Sequence, residues 1–237
     1  MSVKHQTYAD YLSMSGAVAR VIADSLKNNP ELVLCMASGH TPTSTCEQLV
    51  NLITGEKIDH SRLTFIGLDE WVGLKPDNTG SCRYYFEKML IDPLSLSPNQ
   101  YHLFDGTSSY LETECSKMDA VISKKSIDIM VVGIGMNGHI GFNEPGTPVD
   151  ILCHVADLEA TTISVGQKYF DEATTLNQGI TVGLGHLMRS HQLVLLANGE
   201  RKKEVTRRAI QGPVDVAFPA SIVQMHSNAL VITDFSV

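Results

Sequence analysis

The chain has no apolar run approaching the roughly 20 residues needed to span a bilayer. Its first ten residues, Met1 to Asp10, are polar and hold no apolar segment of a secretion signal, so a cytoplasmic protein with no membrane partner is expected. Paired cysteines are also missing. Cys35, Cys46, Cys82, Cys115 and Cys153 are odd in number, scattered, and never spaced as C-x-x-C. That fits neither a disulfide framework nor a cysteine zinc site, and reduced thiols used mostly for packing are expected. The 9 histidines show no H-x-x-x-H or H-E-x-x-H spacing, so no metal is expected. Positive charge is in short supply. Lys and Arg number 18 against 26 Asp and Glu, and the net charge of -8 repels a nucleic-acid backbone. A G-x-x-x-x-G-K-[ST] nucleotide loop and a G-x-S-x-G nucleophile elbow are both absent.

What is present is ample core material, 43% hydrophobic residues with 19% charged, in a chain of 237 residues without repeats, low-complexity tracts or linkers. One domain covering 1–237 is expected. Tyr8, Leu12, Val18, Ile22 and Leu26 outline one face of a first helix ending near Asn28–Pro30. Strand-like runs follow at 32–36, 62–68, 127–134, 179–183, 193–197 and 230–233. Helical stretches lie at about 43–54, 81–91 (stopped by Pro93), 110–123 and 200–211. Strands that lack polar alternation are buried on both faces, and the helices between them imply crossovers. The expected fold is α/β: a single, doubly wound, mostly parallel sheet with helices on both faces, a Rossmann-like three-layer sandwich. Right-handed crossovers put the loops after the strands on one edge, where such folds bind ligands.

Three of those loops carry chemistry. Ser38-Gly39-His40-Thr41, between a strand and a helix, can present backbone N–H groups to an anion such as phosphate, or be an ordinary capped turn with Thr41 or Thr43 as N-cap. Gly133-Ile134-Gly135-Met136-Asn137-Gly138 matches G-x-G-x-x-G, but the following run to Pro148 holds two further glycines and two prolines. No regular helix can open there, which rejects a dinucleotide site. The contorted backbone can instead aim Asn137, His139 and Glu144 at one point, or form a self-bonded Ω-loop. In Asp69-Glu70-Trp71-Val72-Gly73, the acids at a strand end are either solvated or supply a general base. A phosphate cradle, a carboxylate base and a His/Glu relay on one edge are what aldose–ketose chemistry needs.

Leu68-Asp69-Glu70-Trp71-Val72-Gly73-Leu74, together with the long motif from Gly133 through Gly146, resembles the glucosamine-6-phosphate deaminase/isomerase family, and the likeness runs from about Val33 to Thr233. The resemblance implies cofactor-free conversion of a 2-amino-2-deoxyhexose 6-phosphate to a ketohexose 6-phosphate plus ammonia. Asp69 resembles the family's base between carbons 2 and 1, His139 its ring-opening acid/base, and Glu144 the carboxylate that orients and charges that histidine. Asn137 holds a third ring-opening position where many members carry Asp. Ser38, Gly39, Thr41 and Lys202 resemble phosphate ligands. His40 stands where members usually have a small residue, and either adds a donor or crowds the cradle. Lys168 stands where deaminases usually carry Arg; it either keeps that charge or is a solvated helix residue.

Pro219 through Asn228, with Gly80-Ser81-Cys82 and the missing Arg, resembles the galactosamine-6-phosphate isomerase branch, whose product is tagatose 6-phosphate. The expected partner is therefore galactosamine 6-phosphate or glucosamine 6-phosphate. The resemblance covers both hexamers and monomers and leaves a homo-oligomer open. Members activated by an N-acetylamino sugar phosphate tend to extend beyond the last strand, so no such activation is expected with Val237 as the last residue. The rival readings are a 6-phosphogluconolactonase-like hydrolase and a non-catalytic sugar-phosphate sensor. The sensor reading is weakened because about thirty residues, reading as one helix, precede the first strand.

Overall fold

The computed structural model describes residues 3–237. Its strands are β1 (Lys4–Thr7), β2 (Val33–Met36), β3 (Thr64–Gly67), β4 (Asp69–Trp71), β5 (Tyr101–His102), β6 (Ile129–Gly133), β7 (His154–Asp157), β8 (Gln178–Thr181), β9 (Gln192–Ala197) and β10 (Ala229–Thr233). Its helices are α1 (Tyr11–Asn28), α2 (Thr43–Gly55), α3 (Cys82–Phe86), α4 (Asp92–Leu94), α5 (Leu111–Lys125), α6 (Ala160–Gly166), α7 (Leu184–Arg189) and α8 (Lys203–Gln211). Seven strands pair in the order β1-β10-β9-β6-β2-β3-β5, every pair parallel.

Alternate residues of the central strands feed two cores. Leu34 and Met36 of β2 pack with Val131 of β6, Val194 of β9 and helices α1 and α2 on one face. Cys35, Met130, Leu195 and Val231 pack with α5, α7 and α8 on the other. Each large side chain so buried stabilises the fold by about 1.5–3 kcal/mol relative to exposure. The doubly wound parallel sheet expected from the apolar runs is thus present, and no described helix is long and apolar enough to cross a membrane.

Four expectations change. Glycine-flanked 179–183 does not join the parallel sheet: β8 lies between β4 and β7 in a separate three-stranded antiparallel sheet. Leu12 is 64% exposed, and α1 turns Met14, Val18, Ile22 and Leu26 inward instead. Tyr8 precedes that helix, whose N-cap is Asp10 in a capping box with Ser13. Pro93 does not stop the third helical stretch. Residues Glu87–Ile91 form a π-turn in which the Asp92 N–H reaches back to the Glu87 carbonyl, and the widened register carries the chain through Pro93 to Leu94.

Candidate active site

β2 and β6 are neighbours at the centre of the sheet, and the chain winds outward from them in opposite directions. Loops after these strands diverge and leave a crevice at their carboxyl ends. The crevice is a cavity of about 220 Å³ that Ser38–Thr41, Asp69, Gly133–Met136 and His139 line, together with Thr161–Thr162, Lys168–Tyr169, Asn198, Arg201 and Lys202.

At one end lies the start of α2, whose N-terminus carries no side-chain cap. The Thr41 hydroxyl donates instead to Asn198 Oδ1 at 2.8 Å, and the Thr43 hydroxyl donates to the Gly39 carbonyl at 2.9 Å. Neither is the cap that an ordinary turn would use. Amides of Ser38, Gly39 and Thr41 donate to no group among the described residues, so this turn offers unspent donors with the helix dipole behind them. Gly39 has φ +99°, and a Cβ there would stand 2.7 Å from the Tyr169 hydroxyl, so only glycine fits.

Three cations surround this turn. Lys202 donates to the Ile134 carbonyl at 2.5 Å, Lys168 lies over the Tyr169 ring at 4.8 Å, and Arg201 joins them in the lining. Burial, then repulsion from Lys168 and Arg201, pushes the Lys202 ammonium down to about 8. Burial and Arg201 also lower Lys168. Cations crowded until they repel one another make a site awaiting an anion. Lys168 lines the cleft while its side chain stays exposed. His40 stands exposed at the rim with its ring 5.9 Å from that of Tyr169, and its carbonyl is pinned by the Tyr11 hydroxyl at 2.8 Å, so it does not crowd the cradle.

Asp69 opens the three-residue strand β4 across from Thr181 of β8, which turns its carboxylate into the cleft. Burial and the neighbouring Glu70 charge push its carboxyl up to about 7, against a weak contact from the Cys82 thiol at 3.6 Å. Glu70 points the opposite way, as successive strand residues must. It is 3% exposed and accepts from the Trp71, Cys82 and Arg83 amides and the Ser81 hydroxyl at 2.8–3.0 Å. Burial raises Glu70 as well, opposed by those donors. This carboxylate closes the N-terminus of α3 and ties residues 81–83 to the strand carrying Asp69. The two acids are therefore neither solvated nor equivalent.

The loop after β6 contains no helix, consistent with rejection of a dinucleotide site. His139 packs its ring directly on Gly135, where a Cβ would lie 2.4 Å from the imidazole. Its Nδ1 sits 2.9 Å from the Thr162 hydroxyl oxygen and 3.5 Å from Glu144 Oε2, which leaves Nε2 for the cleft. Asn137 donates its amide to Glu144 Oε2 at 2.9 Å and accepts the His139 N–H at 3.3 Å. Burial works against ionisation of Glu144, but hydrogen bonds from His139, Thr162 and Asn137 outweigh it and hold the carboxyl below its usual value. Asn137 and Glu144 stand behind the imidazole and do not line the cavity.

The residues singled out in three separate loops thus meet in one place. Thr162 and Arg201 were not foreseen. Arg201 adjoins Lys202 and was within reach of a charge argument, whereas a lone threonine in a helix has no sequence signature. Pro219–Gln224 forms a buried 3-10 turn behind the site, its Ala220 N–H donating to the Gly138 carbonyl at 2.8 Å, while His226 bonds Ser190. No residue of 219–228 lines the cavity, so this segment gives the galactosamine expectation no geometric support. Thr79, Gly80, Ser81 and Cys82 do line it. Chemically, the cleft offers an anion seat, a carboxylate whose proton affinity matches neutral pH, and an imidazole backed by a hydroxyl and a carboxylate.

The family model for glucosamine-6-phosphate isomerases/6-phosphogluconolactonase matches residues 9–232. A glucosamine-6-phosphate deaminase of Clostridium perfringens is 35% identical over 227 residues, 95% of this chain and 94% of that protein. One from Bacillus pumilus is 35% identical over 231 residues, 96% of this chain and 95% of that one. Among solved structures, a monomeric glucosamine-6-phosphate deaminase superposes with a TM-score of 0.93 at 32% identity, covering 97% of this chain and 96% of that one. The 6-phosphogluconolactonase of Trypanosoma brucei superposes with a TM-score of 0.77 at 16% identity over 97% of this chain and 95% of that one, a likeness of fold alone.

Proposed function

The chain belongs to the family of glucosamine-6-phosphate isomerases and 6-phosphogluconolactonases, and from that premise we propose that it converts a 2-amino-2-deoxyhexose 6-phosphate and water to a ketohexose 6-phosphate and ammonia. The observation that carries this reading is the single cleft joining Asp69, His139 and the turn at Gly39. Glucosamine 6-phosphate is the leading substrate, because the relatives similar over the whole length bear that name. Its carbon-4 epimer, galactosamine 6-phosphate, is the alternative, and the choice between them rests on hydrogen bonds worth about 1–3 kcal/mol.

The phosphate sits on the amides of Ser38, Gly39 and Thr41 with Lys202, Lys168 and Arg201 around it. Held there, the far end of the sugar positions the first carbons between Asp69 and His139. His139 Nε2 takes the proton of the carbon 1 hydroxyl and returns it to the ring oxygen, and the ring opens. Thr162 and Glu144 hold the opposite nitrogen and balance the imidazole charge; Asn137 fixes Glu144. Asp69 then takes the proton from carbon 2 and delivers it to carbon 1, while a proton passes from the amino nitrogen to the carbon 1 oxygen, leaving a carbon 2 imine beside a carbon 1 hydroxyl. Water adds to that imine and ammonia departs. A carboxylate near 7 is a far better carbon base than one near 4, and burial beside Glu70 supplies that difference.

Lactone hydrolysis makes no use of a carbon base and leaves the placement of Asp69 unexplained. The test is product analysis with glucosamine 6-phosphate, galactosamine 6-phosphate and 6-phosphogluconolactone side by side. Equal ammonia and ketose from an amino sugar is the expected result; acid release from the lactone with no ammonia from either sugar overturns it.

A further inference from the structure

Away from the cleft, three potential ligand atoms of different chemistry meet on the face of the main sheet packed by α5 and α7. Asp119 on α5, Cys153 just before β7 and His186 on α7 bring a carboxylate oxygen, a thiol sulfur and an imidazole nitrogen within 4.8 Å of one another. We propose that Asp119, Cys153 and His186 form a structural site for one divalent cation of the zinc class, with water as the fourth ligand.

Donor type selects the ion. A thiolate and an imidazole disfavour magnesium and calcium, and one sulfur, one nitrogen and one oxygen suit tetrahedral zinc. Charge also balances, since a thiolate, a carboxylate and a neutral imidazole cancel a dication and allow the unit to be buried. His186 is 4% and Cys153 8% exposed, while the Asp119 side chain is 23% exposed, which leaves a route for the ion and room for the water. The ligands are already oriented, because Asp119 Oδ1 accepts from His186 Nε2 at 2.7 Å and from the Cys153 amide at 3.0 Å. On binding, Nε2 turns its lone pair to the ion with its proton relocated to Nδ1, and the Cys153 thiol proton passes to solvent. One proton is released per ion bound.

Asp119 and Cys153 lie 34 residues apart and Asp119 and His186 lie 67 apart, so no spacing rule detects them. The ion would tie α5 and α7 to the small sheet: His154, next to Cys153, pairs with Thr181, which also pairs with Asp69. None of the three ligands lines the cleft. Removing the ion should therefore weaken the fold and spare turnover.

The test uses the full, untagged chain, stripped with a chelator and titrated with Co²⁺. Expected are intense visible bands of tetrahedral cobalt and a near-ultraviolet thiolate charge-transfer band, both saturating at one equivalent and bleached by Zn²⁺. Cys153→Ser should remove the charge-transfer band, and His186→Ala should weaken binding at least tenfold. Excess Zn²⁺ should raise Tm by about 5 °C or more. A folded wild-type chain without the thiolate band overturns the proposal, as does a band that survives Cys153→Ser. Should His186→Ala not fold, Asp119→Asn takes its place, and unchanged Co²⁺ affinity in it counts against the site equally.

Discussion

Replacing Asp69 by Asn should make the protein more stable while it loses its chemistry, and the gain should depend on pH in a defined way. The Asp69 carboxyl is raised from 3.8 to about 7 in the fold, whereas in the unfolded chain it titrates near 3.9. Folding therefore penalises the ionised form. The penalty is absent below about pH 4, where both states are protonated, grows as pH rises, and is complete above about pH 7. A shift of about three units corresponds to about 4 kcal/mol at 1.36 kcal/mol per unit. Asp69 lines the cleft and is only partly buried, which reduces the expected gain to about 2–4 kcal/mol. Asn retains the shape and the Cys82 contact, so little else changes. Urea unfolding of both proteins from pH 4 to pH 8.5 reads the difference directly. Curves that run parallel across that range would refute the argument that burial and Glu70 tune this carboxyl. Turnover of the variant should fall by about 10²-fold or more, the usual contribution of a positioned base.

The phosphate seat makes its own prediction. Lys202 is held near 8, so KM for the sugar phosphate should rise above about pH 8 as the ammonium loses its proton. Lys202→Met should raise KM about 10–100-fold, the worth of a charge-assisted hydrogen bond, flatten that pH dependence and leave kcat less affected. Thr162→Val should slow turnover of the cyclic sugar about tenfold, with activity restored by Thr162→Ser and largely spared on an open-chain substrate; equal losses on both would remove Thr162 from ring opening. Gly135→Ala drives a methyl into the His139 ring, and a displacement of about 1 Å should cost about 10² in kcat. Unaltered kcat in that variant would mean the imidazole is not held where the reaction needs it.

Much of this site is legible in the sequence because parallel sheets are restrictive. Leu32–Met36, Ile127–Ile134 and Leu193–Ala197 are apolar on both faces, and helices separate them, so the loops after them must share an edge. That reasoning brings Gly39, Asp69 and His139 together before any coordinates. It fails where structure depends on partners distant in the chain. Asp69–Trp71 becomes a strand only because Gln178–Thr181 lies beside it, and three residues hold no periodicity. Leu12 and Leu26 look alike in a helical pattern, yet only the second meets the sheet. Pro93 stops an α-helix but not one widened by a π-turn. Pro219–Asn228 supports the back of Gly138 and does not line the cleft. Asp119, Cys153 and His186 show the same limit, since ligands from three elements have no common spacing.

The central claim is that Asp69 takes the proton from carbon 2 of an amino-sugar phosphate seated in this cleft. Glucosamine 6-phosphate labelled with deuterium at carbon 2 tests it most directly. The wild-type chain should remove the label from carbon 2 in step with ammonia release, and Asp69→Asn should leave it in place while still binding the phosphate sugar. Loss of the label at the wild-type rate in that variant would contradict the account.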